Sequence, residues 1–198
     1  MGCDIHLYTE YLRHVDGKPI WINCDNWQVN PYYKDDNEPK YEINPLYGGR
    51  NYHLFAILAN VRNEDDGNEY ISEPRGVPDD MSPQTKDQYD KWDSDGHSHS
   101  YLSLAELKEF EAKHIPIKFS GMMTAENARL VDIGQMPNEW CRGTNNSAYV
   151  HRKWELHIDY LAELITLLEA RKKEVFNIYA NDDTTRDNQI RIVFWFDN

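Results

Sequence analysis

The Asp16-Gly17 pair near the start of the chain constrains the fold more than any other feature of the sequence. Asp-Gly suits the two central positions of a tight β-hairpin turn, because both positions favour residues that tolerate a positive φ. Polar and apolar residues are interleaved over residues 3–13, and the apolar-rich segment Lys18–Asn23 follows the turn. The sequence therefore predicts two antiparallel strands joined by this turn.

The first of these strands is predicted to have one apolar and one polar face. Side chains two apart in a strand share a face, so Ile5, Leu7 and Thr9 would point towards the core. The opposite face would carry a row of polar side chains: Asp4, His6, Tyr8 and Glu10. Cys3 would lie on the face away from this row.

The remainder of the chain combines helical patterns with long polar connections, and it ends in two further predicted strands. Helices are predicted at 50–63, from Ser103 to about Lys113, briefly after Thr124, and at 154–173. Irregular connections are predicted at 25–50 and 69–100, and strands at 175–182 and 188–198. These elements predict one α+β domain over residues 1–198. Its mainly antiparallel sheet would come from N-terminal and C-terminal hairpins, packed with helices and long functional loops.

Composition limits the classes of partner. The 198 residues include 34 acidic and 21 basic side chains, which gives a formal net charge of −13. This charge disfavours long duplex nucleic acid, whereas a small anionic ligand needs only a few local arginines. Three cysteines without paired spacing indicate a reducing cytoplasm. No apolar run approaches the ~18 residues of a membrane span, so no membrane partner is expected.

A first candidate half-site for a divalent metal lies on the first strand. Asp4 and His6 combine a carboxylate with an imidazole on one strand face, and such ligands suit zinc, manganese or magnesium. Tyr8, on the same face, is a candidate ligand-binding residue. The alternative is an edge strand whose polar face is merely solvated.

The segment DSDGHSHS provides the second candidate half-site. His97 and His99 have the alternate spacing that converges on one ligand, and Asp93 or Asp95 lies nearby. The two histidines are also candidate acid and base groups that would need no metal. A polar loop in which both histidines only form hydrogen bonds remains a third interpretation.

Two loops place arginines beside glycines and are candidate anion sites. Arg50 and Asn51 follow two glycines at a predicted helix start, where free N–H groups and a guanidinium favour anions. Arg75 lies in a proline-flanked loop with Asp79 and Asp80, which could bind metal or activate water. An ordinary helix cap at Asn51 and an internal arginine–carboxylate network around Arg75 are the structural alternatives.

Four segments form a sequence fingerprint: MGCDIH at the start, RNYHLFAILANVRN, ISEPRGVPDD and DGHSHSYLSLAEL. This fingerprint, over roughly residues 1–110, resembles a family of small tailed-bacteriophage proteins whose members are mainly hypothetical. The resemblance implies expression in the cytoplasm of an infected bacterium. It also favours nucleotide ligands and anti-defence roles, because small phage accessory proteins often act on host nucleotides or host defences.

Two hypotheses for function follow. In the first, the chain is a phosphate-directed hydrolase of a nucleotide or cyclic-nucleotide signal. Its site would combine the metal candidates, the two histidines, the two loop arginines and Asp79 or Asp80. In the second, it is a non-catalytic protein that sequesters a nucleotide ligand or a host defence protein. The 13 Tyr and 6 Trp residues suit this second role, because such rings build stacking surfaces.

Overall fold

A computed structural model describes residues 2–34, 39–63, 67–92, 95–177 and 184–197 of the chain. Within these residues the strands are β1 Asp4–Val15, β2 Lys18–Asn23, β3 Asn26–Val29, β4 Tyr41–Asn44, β5 His97–Ser103, β6 Ile117–Thr124, β7 Tyr149–Leu156 and β8 Ile190–Asp197. The helices are α1 Tyr52–Ala59, α2 Pro83–Trp92, α3 Leu104–Glu111, α4 Ala125–Asp132 and α5 Ala162–Phe176. The predicted α+β class with a mainly antiparallel sheet is confirmed.

The main sheet has the strand order β2-β1-β8-β5, and all its pairs are antiparallel. The predicted N-terminal hairpin is confirmed, with Val15 opposite Lys18 and Asp16 and Gly17 both at positive φ. Strand β8 lies between β1 and β5, so the last described strand occupies the middle of the sheet. Two smaller ribbons, β3–β4 and β6–β7, lie outside it.

One face of the main sheet builds the principal apolar core. Ile5 and Leu7 of β1 and Phe194 and Phe196 of β8 are buried in one cluster with residues of α1, α3 and α5. The prediction that Ile5 and Leu7 point into the core is confirmed. Burial of these large side chains is the main favourable contribution to folding.

The other face, which carries the polar row of β1, is also covered. Residues directly opposite in an antiparallel pair share a face, so His6 lies beside Trp195 and Glu10 beside Arg191. Tyr8, Ile43 and Trp195 form a second buried cluster, with Tyr89 and Trp92 of α2 packed against it. His6, Tyr8 and Glu10 are therefore covered by α2, the segment before it and the β3–β4 ribbon, whereas Asp4 stays half exposed. Since β1 also has a neighbour on each side, the interpretation as a solvated edge strand is wrong.

The segment 69–100, predicted to lack regular structure, contains α2 and most of β5. Pro83 occupies the first position of α2, where its missing N–H costs nothing, and the Ser82 hydroxyl accepts the N–H of Thr85. Pro74 and Pro78, the other prolines of this segment, lie before the helix and do not interrupt it. The connection 25–50 likewise contains β3 and β4.

The helix predicted at 154–173 begins later, at Ala162. Trp154 belongs to β7, where its ring stacks on Phe119 of β6 with centroids 5.3 Å apart. The Asp159 carboxylate accepts the N–H groups of Leu161 and Ala162 and so starts the helix there. Of the two predicted C-terminal strands, β8 is confirmed, while Val175 and Phe176 end α5 and residues 178–182 lie outside the described part.

Candidate functional site

Strands β1 and β5 flank β8, and this arrangement brings His6 of the first predicted half-site and His99 of the second close to one residue of β8. The rings of His6 and His99 contact the same indole, with centroids 6.0 Å and 6.2 Å from that of Trp195. His6 on β1 and His99 on β5 thus lie on either side of one buried tryptophan of β8.

A β-bulge in β5 separates His97 from His99. The pairing with β8 shifts between His97 and Ser100, and Ser98 has a positive φ of 51°. As a result His97 stacks near Phe196, whereas His99 lies near Trp195. The two imidazoles were predicted to converge because alternate side chains of a strand share a face. The bulge interrupts this alternation.

Three buried ring nitrogens near this bulge have no hydrogen-bond partner in the described part of the chain: His97 Nε2, His99 Nε2 and Trp195 Nε1. Gly96 permits the close packing here, because a Cβ on it would lie 2.9 Å from His99 Nε2 and 3.1 Å from Trp195 Cδ1. Burial, with a smaller effect of the neighbouring His97, lowers the pKa of His99. A neutral His99 imidazole can therefore accept or donate a hydrogen bond at neutral pH.

The metal candidates on β1 already have partners within the protein. The Arg50 guanidinium donates two hydrogen bonds to the Asp4 carboxylate, from Nε at 2.7 Å and from Nη2 at 2.5 Å. This hydrogen bonding lowers the pKa of Asp4. His6 Nε2 lies 3.2 Å from the Asp197 carboxylate. Among the described residues no group of three or more His, Cys, Asp or Glu side chains is placed to hold a metal ion. Asp93 lies outside the described residues.

The other predicted anion-binding residues also contact protein groups. The Asn51 side chain accepts the N–H groups of His53 and Leu54, so it caps α1 and occupies the donors that an anion would use. Arg75 pairs with Glu106 at 2.7 Å. Burial opposes ionisation of Glu106, but hydrogen bonds from Arg75 and Ser103 lower its pKa.

Asp79 and Asp80 differ in their surroundings. Asp79 is exposed. Asp80 pairs with Arg191 at 2.9 Å and accepts the indole N–H of Trp21 at 3.1 Å. The arginine–carboxylate contacts anticipated as the structural alternative are therefore present at Arg75 and at Asp80.

A cleft of about 750 Å³ opens between β1, the β3–β4 ribbon and α2, and it contains three of the predicted residues: His6, Tyr8 and Asp95. Four aromatic side chains line it: Tyr8, Trp27, Tyr41 and Trp92. Trp27 and Tyr41 contribute from the ribbon, with 55% and 53% of their surfaces exposed. Trp92 of α2 packs on His6, with ring centroids 3.8 Å apart. Aromatic rings from β1, the β3–β4 ribbon and α2 therefore line the same cleft.

The rim of this aromatic cleft is acidic. Glu42, Asp87 and Asp95 line it, and the lining Lys91 pairs with Asp87 at 2.9 Å. Burial, together with the nearby Asp25, raises the pKa of Tyr8 to about 12, so its phenol stays protonated. The cleft therefore favours neutral or cationic groups with N–H donors over a phosphate.

Sequence reasoning missed Trp27, Tyr41 and Trp92 as site residues. A signal was present, since Trp27 and Val29 alternate with polar residues, as do Tyr41 and Ile43. In the structure these pairs lie opposite one another on one face of the ribbon. The long polar connection between the two short runs obscured this pattern.

No protein-family model, curated protein or solved structure matches this chain. Among the described residues, no helix combines the length and the apolar character that crossing a membrane would require.

Proposed function

We propose that this chain is a non-catalytic binding protein that sequesters a small ligand carrying a nucleobase. The observation that supports this proposal is the open cleft whose aromatic walls come from β1, the β3–β4 ribbon and α2. Stacking of a base on an aromatic side chain contributes ~1–3 kcal/mol and tolerates different bases. The exposed rings of Trp27 and Tyr41 are the surfaces on which a base would stack.

The acidic rim supports the same class of ligand. Exocyclic amino groups of adenine, cytosine and guanine are hydrogen-bond donors, and the carboxylates of Glu42, Asp87 and Asp95 are acceptors. A base would therefore be held by its rings and its amino edge, while any phosphate would point out of the cleft. A basic segment of a host defence protein is the other partner that this charge would attract.

The internal ion pairs favour binding over phosphoryl chemistry. Arg50 and Arg75, the predicted phosphate ligands, each pair with a carboxylate. A phosphate would have to displace Asp4 or Glu106 to use them. The resemblance to small tailed-phage proteins supports capture of a host nucleotide signal in the infected cytoplasm as the biological setting of this proposal.

The proposal is tested by titrating the protein with adenosine, cytidine, guanosine and uridine in a calorimeter. Trp27→Ala should weaken nucleoside binding by about tenfold or more, because one stacking platform is lost. Tyr32→Ala is the matched control, since Tyr32 is 74% exposed close by and does not line the cleft. The ligand should be recovered intact after heat denaturation. Equal losses in the two variants, or absence of nucleoside binding at millimolar concentration, would contradict the proposal.

The phosphate-directed hydrolase remains a second candidate, favoured by the unpartnered Nε2 atoms of His97 and His99. One neutral imidazole could take a proton from the attacking water, and the other, when protonated, could give one to the leaving oxygen. The test is turnover of cyclic nucleotides with and without added zinc, manganese or magnesium. Turnover that persists in the His97→Ala/His99→Ala variant would exclude this assignment, whereas turnover lost in it would exclude a purely binding role.

A further inference from the structure

The aromatic cleft between β1, the β3–β4 ribbon and α2 combines stacking surfaces with an acidic rim. We infer that it selects nucleobases made cationic by N-alkylation, such as 1-methyladenine or 3-methylcytosine, over the neutral parent bases. This inference rests on the proposed function, because it names the class of base that the same cleft takes. Stacking tolerates different bases, whereas carboxylates beside the rings distinguish a charged base from a neutral one.

The charge of the rim is the first observation. Its described lining includes three carboxylates and one ammonium group, and the ammonium group of Lys91 already pairs with Asp87 at 2.9 Å. Glu42 instead accepts a hydrogen bond from the neutral amide of Gln28 at 2.8 Å. The net charge of −13 on the whole chain adds to this local potential. A cationic ligand therefore gains more from this cleft than a neutral ligand of the same shape.

Trp27 is the ring that we assign to the charged base. It lines the cleft with 55% of its surface exposed, and among the described residues no aromatic ring or cation packs on it. Tyr41, by contrast, already has the Lys40 ammonium group 5.8 Å from its ring centre. Indole attracts a cation to its face more strongly than the other aromatic side chains do. A cationic base on Trp27 would therefore gain cation–π attraction in addition to stacking.

The β3–β4 ribbon fixes this indole relative to the rest of the cleft. Trp27 lies opposite Ile43, which is buried in one cluster with Tyr8 and Trp195 of the main sheet. Residues directly opposite in an antiparallel pair share a face, so the buried Ile43 holds the indole on the side of the ribbon that faces the sheet. A ring positioned in advance loses little freedom when a ligand binds.

Size and hydrogen bonding favour a base over a simple ammonium ion. The cleft volume of about 750 Å³ lies within the ~300–1,000 Å³ of sites that enclose a whole small molecule. A tetraalkylammonium ion would fill only part of this volume, and it has no N–H group for the carboxylates. 1-Methyladenine and 3-methylcytosine keep N–H donors at the exocyclic nitrogen, and Glu42 and Asp95 supply acceptors on the rim.

The test compares matched pairs of ligands by calorimetry at neutral pH: adenosine with 1-methyladenosine, and cytidine with 3-methylcytidine. Both methylated nucleosides are cations at this pH, and each differs from its parent by one methyl group and one charge. Each should bind about tenfold more tightly than its parent, because the charge adds cation–π and carboxylate attraction. Tetramethylammonium is titrated as the cation without a ring.

The outcomes separate this inference from the proposed function. Equal affinities within both pairs would overturn the inference and leave the proposed function standing. Absence of binding by all four nucleosides would overturn both. Tetramethylammonium that binds as tightly as the methylated nucleosides would also overturn the inference, because the cleft would then recognise charge without a base.

Rim variants test the source of the selectivity. Glu42→Gln keeps the shape of the side chain and removes its charge, so the ratio of affinities within each pair should fall by about threefold or more. Asp95→Asn is the second variant, and thermal unfolding checks that both fold. Glu109→Gln is the charge-matched control, since Glu109 is exposed on α3, which packs on the opposite face of the main sheet. An unchanged ratio in both rim variants, or an equal fall in Glu109→Gln, would overturn the inference.

Discussion

The protonation of His99 depends on folding, because the folded protein partly buries its imidazole. Burial lowers its pKa from the ordinary value of 6.5, so the unfolded chain binds a proton at this position at a higher pH than the folded one. Its contribution to stability is therefore fully present above pH 6.5 and is lost as the pH falls through the lower folded-state value.

We expect His99→Gln to lose less stability than the wild type between neutral and mildly acidic pH, because the glutamine does not titrate. Urea denaturation of both proteins at a series of pH values measures this difference. Parallel pH profiles for the two proteins would show that the environment of His99 does not affect its proton binding.

Gly121 illustrates how one missing side chain lets an indole ring pack closely on a strand. A Cβ at this position would lie 2.7 Å from Trp140 Cδ1 and 3.1 Å from the carbonyl oxygen of Cys141. Gly121→Ala should therefore lower the free energy of unfolding by ~1–3 kcal/mol, the usual effect of overpacking. Chemical denaturation checks the value. In Gly143→Ala, where nothing lies within 4 Å of the added Cβ, we expect much less destabilisation.

At the scale of the element, the ends of helices that are capped by nearby side chains were predictable. Ser103 and Glu106 form the expected capping box at the start of α3, and the Thr124 hydroxyl accepts the N–H of Asn127 at the start of α4. Such contacts lie within three residues in the sequence, so the sequence pattern is sufficient to predict them.

Ser103→Ala should reduce the free energy of unfolding by about 1 kcal/mol, because the Glu106 N–H loses its acceptor. Thermal or urea unfolding measures this loss. Ser147→Ala, at an exposed serine outside the helices, should leave stability nearly unchanged. A loss in Ser147→Ala as large as that in Ser103→Ala would contradict the capping role.

Elements whose identity depends on distant partners were predicted poorly. Trp154 fits a helical stripe as well as a strand, and only its stacking on Phe119 selects β7.

The same limit applies to the candidate site. His6 and Tyr8 were placed on one face by local alternation, whereas Trp27 and Trp92 reach the cleft through β3 and α2, two elements that the sequence analysis did not predict. The bulge at Ser98 had no local signal that we recognised.

At the scale of the whole molecule, a buried ion pair joins the two ends of the chain. Arg191 of β8 donates to Glu10 of β1 at 2.9 Å, and Glu10 is 0% exposed. Arg191→Met should destabilise the protein by ~3–5 kcal/mol, because the Glu10 carboxylate stays buried with only the Ser82 N–H as a hydrogen-bond donor and without its charged partner. Equilibrium denaturation tests this value.

The double variant Glu10→Met/Arg191→Met provides the comparison. Replacing both charges by apolar groups removes the uncompensated carboxylate, so this variant should recover much of the stability lost in Arg191→Met. A double variant that is less stable than the single one would contradict this explanation.

The central position of β8 has a consequence for synthesis on the ribosome. Every other described strand is made before β8, yet β1 and β5 both need β8 as their neighbour. Until residues 190–197 emerge, the nascent chain has two unpaired strand edges, and the apolar face formed by Ile5 and Leu7 lacks Phe194 and Phe196. Completion of the sheet must therefore follow translation of residues 190–197, and until then the exposed edges and apolar face favour aggregation.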